Sequence, residues 1–392
     1  MGRTALIQEP IFDVAFVGGG MAGAAAAANL APQARVLVLE RESRPGYHAT
    51  GRSAALFSES YGSAAIRALT RASHGFFHSP PRDFSEAELV TPRGVLYVAT
   101  ADRVGALIAH AELPDVAAVA QRISPVRAYA LSPSLRQGSV AAALHEPGAC
   151  DIDVDALHQG YLRQLRQCGG RLVNNAGVES IERHDGHWSI GTAAGNFRAK
   201  VVVNAAGAWV DEVAKLAGAA AVDIQPLRRT ACMIDAPGHC DIGRWPMTMD
   251  IDETYYFKPD AGRLLLSPAD ATPSAPCDAW PDDMDIAIAV DRIEQATSLS
   301  VSHVRQKWAG LRSFVGDRNP VIGYDPGVPA FFWIAALGGY GIQTAPAVGR
   351  LAAALIQQQP APEDLMALGL DLGSISPRRF NPRQGVKATP TR

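Results

Sequence analysis

Cysteine is scarce: the 392-residue chain has five, Cys150, Cys168, Cys232, Cys240 and Cys277. An odd number with no C-x-x-C pair suggests neither a disulfide framework nor a zinc site, and inert thiols in a reducing cytoplasm are the default. Charge of one sign is also lacking. The formal net charge is -3 with 19% charged residues, so nothing points to nucleic acid as a partner. No apolar run is long enough and clean enough to span a membrane. The most apolar stretch, residues 14–31, is broken by Gly18, Gly19, Gly20 and Gly23, interrupted by Asn29, and has no basic flank. The opening MGRTALIQEPIFD lacks the apolar core and small-residue cleavage site of a secretory signal. Cytoplasmic residence is the expectation, with peripheral association at the inner membrane surface left open. There is no internal repeat and no convincing metal constellation. A hydrophobic content of 47% describes a folded, enzyme-like chain of two ordinary domains or one large elaborated one.

What the chain does have begins at Asp13, with DVAFVGGGMAGAAAAANLAPQARVLVLE. Residues 14–17 read as a buried parallel strand, and residues 18–23 as a G-x-G-x-x-G turn into an alanine-rich helix. Gly18 permits the tight turn, Gly20 lets the backbone approach a pyrophosphate, and Gly23 lets helix and strand pack closely. Ala22 lies in the same turn. A second strand, residues 35–39, ends at Glu40, placed to accept hydrogen bonds from a ribose. Strand, turn, helix, strand and terminal acid together predict a bound adenine dinucleotide, its phosphates at the helix N-terminus.

Two later features favour FAD over NAD. Residues 201–209, VVVNAAGAW, are an apolar strand running into small residues where the chain must pass close to a cofactor, Gly207 among them. Residues 338–344, GGYGIQT, form a second glycine-rich turn leading into a helix, whose N-terminus suits the negative charge of a reduced flavin's pyrimidine edge. An NAD enzyme needs no such second site. Between these stretches, residues 61–145 and 225–307 carry more aromatics, prolines and alternating patterns, as a half-exposed antiparallel sheet does. The expected fold class is therefore α/β. A Rossmann-like FAD-binding domain (residues 1–58, 148–224 and 309–392) is interleaved with an α+β substrate domain on an antiparallel sheet (residues 59–147 and 225–308). The basic, proline-rich tail after Ser374 is expected to fray or lie along the surface.

Several segments in one order carry a resemblance: residues 18–23 with Glu40, GYHATGRSAA at 46–55, DIDVDALHQGY at 151–161, NAAGAW at 204–209, WAGLRSF at 308–314 and residues 338–344. Over nearly its whole length the chain resembles the FAD-dependent D-amino acid oxidase/dehydrogenase superfamily, with its nearest likeness to bacterial D-arginine dehydrogenase-type enzymes. The resemblance implies oxidation of an amino acid by hydride transfer from Cα to flavin N5, then hydrolysis of the imine to a 2-oxo acid and ammonia. It implies a non-covalent FAD and an electron acceptor that is a quinone, a dye-like carrier or oxygen. Arg229 and Arg312 match the clamp on the substrate carboxylate, a role suited to the two-pronged guanidinium. Tyr61 and Tyr256 match hydroxyl donors over the substrate. Around the cofactor the implied contacts are Arg41, Ala49, Thr50, Gly51, Arg52, Ser53, Ala54, Ala55 and the main chain of Val178. At the far end they are Gly339, Tyr340, Gly341, Ile342, Gln343 and Thr344, with Gly338 at the substrate pocket. His48 lies near the flavin, but a hydride mechanism needs only a neutral amine, so His48 reads as structural.

Two positions depart from the pattern. Val95 stands where the matching family has an acid on the strand after Pro92, and Leu56 replaces a histidine. Both changes favour an uncharged substrate: a D-amino acid with an apolar or aromatic side chain, or a cyclic or N-substituted relative. Glu86, Glu88 and Asp252 are the candidate substitute carboxylates. Glycine, sarcosine and 2-hydroxy acids stay open as alternatives, because the same arginine clamp would serve them.

Overall fold

The computed structural model describes residues 11–238 and 241–380; Cys240 and the end of the basic tail lie outside them. The apolar run after Asp13 becomes the strand Phe12–Val17, paired in parallel with Val36–Leu39 on one edge and Gly195–Asn204 on the other. Its residues are buried on both faces, which is the environment that selects a continuous Val/Ala/Phe run rather than an alternating one. Parallel strands Arg171–Val173 and Phe331–Ala335 extend this sheet, and Val321–Tyr324 closes one side antiparallel. The polar turn at Asp185 and Gly186 joins the hairpin Val178–His184 and His187–Thr192, which pairs with the first half of Gly195–Asn204.

The helix Met21–Leu30 is buried along nearly its whole length and packs against the helices Val154–Gln167 and Ala345–Ile356. Alanine is used there because a larger side chain would hold the three helices away from the sheet and from each other.

A second, nine-stranded sheet is antiparallel except where Met247–Asp250 runs beside Val95–Ala99. Its longest pairing joins Gln225–Asp235 to Val304–Phe314, with Leu227 opposite Arg312 and Arg229 opposite Gly310. Arg229 is two residues from Leu227, so the register alone puts both guanidinium groups on one face. Strand Val304–Phe314 runs unbroken across the boundary expected at residue 308. The chain thus builds the first sheet from three separated stretches and visits the second sheet between them. A small sheet of Leu56–Phe57, Val90–Pro92 and Cys150–Ile152 sits at the crossings.

The first part of the tail does not fray. Helix Leu372–Ile375 and the turn Pro377–Phe380 follow, and Arg379 pairs with Asp317 at 2.7 Å. Cys150, Cys168, Cys232 and Cys277 are free thiols. Among the described residues no helix is long and apolar enough to cross a membrane.

Candidate active site

The glycine turn is built by contact. A Cβ on Gly18, whose φ is 109°, would lie 2.5 Å from the Ala205 carbonyl oxygen, and one on Gly23 would lie 2.0 Å from the Gly18 carbonyl oxygen. Strand end, helix start and the Asn204–Ala205 crossing are therefore pressed together, and only glycine permits it. The Met21 amide donates to the Thr50 hydroxyl at 3.0 Å. The buried Glu40 carboxylate accepts from the Gly19 amide at 3.0 Å and the Glu42 amide at 2.9 Å. Burial raises its pKa against the pull of those two amides. Glu40 thus ties the turn down while facing the cavity, with a lone pair on each oxygen left for a ribose.

His158, which the sequence reading did not single out, supports the turn from below. Its Nε2 donates to the Gly19 carbonyl at 2.9 Å, and burial holds its pKa below the ordinary value, keeping the ring neutral. The signal was a polar residue on the buried face of helix Val154–Gln167, beside Leu157, Tyr161 and Leu162.

A cavity of about 520 Å³ runs from this turn to the second sheet. Of the residues expected at a cofactor, Gly18, Gly20, Ala22, Glu40, Arg41, His48, Ala49, Thr50, Arg52, Ser53 and Ala54 line it. So do Val178, Gly207, Gly338, Gly339, Gly341 and Ile342, together with Arg229, Tyr256 and Arg312. Gly23, Gly51, Tyr340 and Thr344 stand behind the wall: the Gly51 amide donates to Gly46 and the Thr344 hydroxyl to Tyr340, each at 2.8 Å. Trp209 also lines the cavity, with the Arg41 guanidinium 4.8 Å over its ring and the His48 ring 4.7 Å away. His48 Nε2 is hydrogen-bonded to Glu42 at 2.9 Å. Arg52 is engaged with the protein itself, donating to the Ala279 and Ala309 carbonyls and to Asp278. It pins residues 49–55 to the second sheet.

At the far end stand the two arginines. Arg312 is half-buried on the cavity wall, its Nη1 3.5 Å from the Tyr61 hydroxyl, and a Cβ on Gly339 would fall 2.8 Å from its Cζ. Burial works against its charge, but Tyr61, Tyr256 and Glu253 nearby raise its pKa above the ordinary value. Arg229 donates from Nε to the Asp270 carbonyl at 2.6 Å, and its Nη2 lies 4.0 Å from Glu253. Its Nη1 is buried with no partner among the described residues. Burial and then the neighbouring Arg312 push its pKa down. Two adjacent guanidinium groups with an unpartnered donor form a site for a carboxylate.

The candidate substitute acids are not here. Glu86 and Glu88 are exposed, and Asp252 is exposed and paired with Arg103. The acid at the site is the next residue, Glu253, held in a left-handed turn (φ 56°) and accepting from the Tyr61 hydroxyl at 2.9 Å. Burial, then Glu253, raises the Tyr61 pKa well above its ordinary value.

Beside Arg312 opens a chamber of about 50 Å³ lined by Leu56, Val95, Met247 and Met249, with Ala55, Ser58, Tyr61, Tyr97, Tyr256, Gly339 and Gln343. Val95 is fully buried. Gln343 is turned toward neighbouring chain, accepting from the Ser58 amide at 3.2 Å and donating to Thr70 at 2.9 Å.

A glycine turn with its acid, and a long cavity ending at two guanidinium groups, define a dinucleotide-binding protein with an anion site at the far end. The chain belongs to the FAD dependent oxidoreductase family (DAO), which it matches over residues 13–355. Its cofactor is FAD. Dimethylglycine dehydrogenase, mitochondrial, of Homo sapiens is 27% identical over 266 residues, which are 63% of this chain and 30% of that protein. The chain therefore spans under a third of the length of that relative. The crystal structure of glycine oxidase from Geobacillus kaustophilus superposes with a TM-score of 0.79 at 23% identity, covering 92% of this chain and 98% of the other. That of L-proline dehydrogenase from P. horikoshii gives 0.81 at 20% identity, covering 95% and 98%.

Proposed function

We propose that the protein oxidises the carbon–nitrogen bond of a small α-amino acid, or of its N-alkyl or cyclic relative, with FAD bound non-covalently. The observation that carries this reading is the unpartnered Nη1 of Arg229, on the wall of the larger cavity, with Arg312 lining both that cavity and a chamber with room for about three to five water-sized groups. Arg229 and Arg312 bind the substrate carboxylate, which removes the repulsion between their charges. Fixing the carboxylate at two points orients the Cα–N bond toward the larger cavity. Tyr61 and Tyr256 close the mouth and limit water there. When bound, FAD accepts the two electrons removed from the substrate.

The small chamber favours glycine, sarcosine or a cyclic amino acid over the aromatic substrates and over the long basic chain of a D-arginine dehydrogenase-type enzyme. A second reading, a D-amino acid with a short apolar side chain, is supported by the apolar walls at Leu56, Val95, Met247 and Met249. Anaerobic bleaching of the FAD-loaded protein separates them. Glycine, sarcosine, both prolines, both enantiomers of alanine and leucine, D-phenylalanine, D-arginine and lactate are added in turn. Bleaching by the small amines is expected. Bleaching by lactate alone, or fastest by D-arginine, would overturn the proposal. Reoxidation by oxygen, a quinone or a dye then identifies the acceptor class.

A further inference from the structure

Behind the chamber lies a buried carboxylate that the carboxylate clamp does not use. Glu146 is 2% exposed, and no cationic side chain among the described residues is paired with it. It stands directly opposite Val95 on the neighbouring antiparallel strand. Residues opposite one another in this way share a face, with Cβ atoms about 5 Å apart. A carboxylate thus stands one strand away from position 95.

Its hydrogen bonds have a single direction. A carboxylate only accepts. Ser58 Oγ donates to Glu146 Oε2 at 2.7 Å, Ser60 Oγ donates to the same oxygen, and the Glu59 amide donates to Oε1 at 2.7 Å. Ser60 has one proton, and it points at Glu146. The bond between Ser60 Oγ and the Tyr97 hydroxyl, 3.0 Å long, must therefore be donated by Tyr97. The hydroxyl residues that line the chamber are Ser53, Ser58, Tyr61, Tyr97 and Tyr256, and of these Ser58 and Tyr97 belong to the Glu146 network. Both of their protons are taken up by the Glu146 network, so neither hydroxyl has a proton left to donate to the chamber. The thioethers of Met247 and Met249 on the same wall are weak acceptors too.

We propose that Glu146, acting through Ser58, Ser60 and Tyr97, makes the deep wall of the chamber a hydrogen-bond acceptor that, among the small amino acids bearing a side chain, favours those with a donor there. The class is a short amino acid whose side chain ends in a hydroxyl or amino group. This rests on the reading of the site as an amino acid oxidation site, and it replaces an indifferent apolar pocket with a polar requirement. Glu146 and Ser60 are positioning residues: they orient the protons of Ser58 and Tyr97 without touching the ligand. The glutamine variant tests that role, because its amide NH2 donates and would turn the hydroxyl protons around toward the chamber.

The test compares serine with 2-aminobutyrate, which replaces the hydroxyl by a methyl group, and with 2,3-diaminopropionate, each as both enantiomers on the FAD-loaded enzyme. Serine, 2,3-diaminopropionate or both should exceed 2-aminobutyrate in kcat/KM by on the order of tenfold or more, and the two donors distinguish a hydroxyl from an amine requirement. In Glu146→Gln and in Tyr97→Phe that ratio should fall by about five- to tenfold. A ratio near one in the natural protein, or one unchanged in both variants, overturns the inference. The melting-temperature rise caused by 3-hydroxypropanoate against butanoate reads the same wall with ligands that have no amine to oxidise. If no amino acid bleaches the flavin yet 3-hydroxypropanoate binds better than butanoate, the proposed activity fails and the acceptor wall stands. If amino acids bleach it without donor preference, the acceptor wall alone fails.

Discussion

Alanine substitutions in the glycine turn separate what holds the protein together from what holds its cofactor. A Cβ at position 23 would sit 2.0 Å from the Gly18 carbonyl oxygen, whereas carbon and oxygen approach to about 3.3 Å at best. Helix Met21–Leu30 would have to retreat by more than about 1 Å. Both sides of the clash are backbone, and Ala205 crowds the same position at 3.4 Å, so no side-chain rotation relieves it. Overpacking of this kind costs about 3 kcal/mol, the upper end of the usual range, or on the order of 5 °C in melting temperature. Gly20 differs. Its added Cβ meets only the Thr50 hydroxyl, at 3.3 Å. Gly20→Ala should change the stability of the cofactor-free protein by less than about 1 kcal/mol. It puts a methyl group where a phosphate must approach the backbone, and losing one charge-assisted hydrogen bond is worth about 1.5–3 kcal/mol. That corresponds to on the order of 10- to 100-fold in Kd for FAD.

The assay is a pair of measurements on each cofactor-stripped protein: a thermal melt, and titration with FAD followed by flavin fluorescence quenching. Gly23→Ala should lose stability and FAD affinity together, and Gly20→Ala affinity alone. If Gly23→Ala melted with the wild type, the contact argument would fail. If Gly20→Ala were as destabilised as Gly23→Ala, the assignment of that position to the phosphates would fail.

Four further outcomes follow from the site. Arg312→Lys exchanges a two-pronged donor for a point charge at a half-buried site, and kcat/KM should fall by about 30- to 100-fold; a drop of threefold or less would remove Arg312 from the carboxylate clamp. Glu253→Gln removes a negative charge 4.0 Å from Arg229, so the substrate KM should fall by up to about fivefold, and a rise would show that Glu253 assists binding instead of competing with it. Burial depresses the pKa of His110, His145 and His158, so the native state keeps them neutral while the unfolded chain protonates near the ordinary value. Their stabilising contribution is complete above that value and is lost as pH falls through it toward 5. Melting curves from pH 8 to 5 should show the loss, with a shallower slope for His158→Gln; an unchanged slope would exclude His158 from it. Val95→Glu should not create a basic-substrate enzyme: it buries a second carboxylate opposite Glu146, costing more than about 3 kcal/mol, and a stable variant active on D-arginine would contradict this.

Local features were readable from the chain and pairwise geometry was not. The strand Phe12–Val17 and the helix Met21–Leu30 follow from an apolar run and a glycine turn within a few positions of one another. Glu253 was invisible because its neighbour Asp252 has the same chemistry, and only the turn's left-handed backbone decides which carboxylate faces Arg229. His158 was passed over because a histidine in a helix is ordinarily a surface or core residue. What marks it is the Gly19 carbonyl, brought to it by the packing of helix on turn.

The pocket shows why reading one position at a time misjudges charge. Val95 for an acid looks like the deletion of a negative group, and from that it follows that the substrate is uncharged and apolar. In the sheet, however, a side chain's surroundings are set by its cross-strand neighbour as much as by its own identity. Position 95 faces position 146, and a carboxylate stands there. Its position decides what it can do. On strand Val95–Ala99 an acid would reach the chamber directly; from Ala142–Glu146 it reaches Ser58, Ser60 and, through Ser60, Tyr97. A substrate therefore meets not a carboxylate but oriented hydroxyl oxygens, which accept hydrogen bonds while the charge itself stays enclosed and satisfied. Such a wall excludes the strong ion pair a guanidinium would make and retains a demand for a donor. The substrate follows from where the protons of Ser58 and Tyr97 point, and Glu146 determines that.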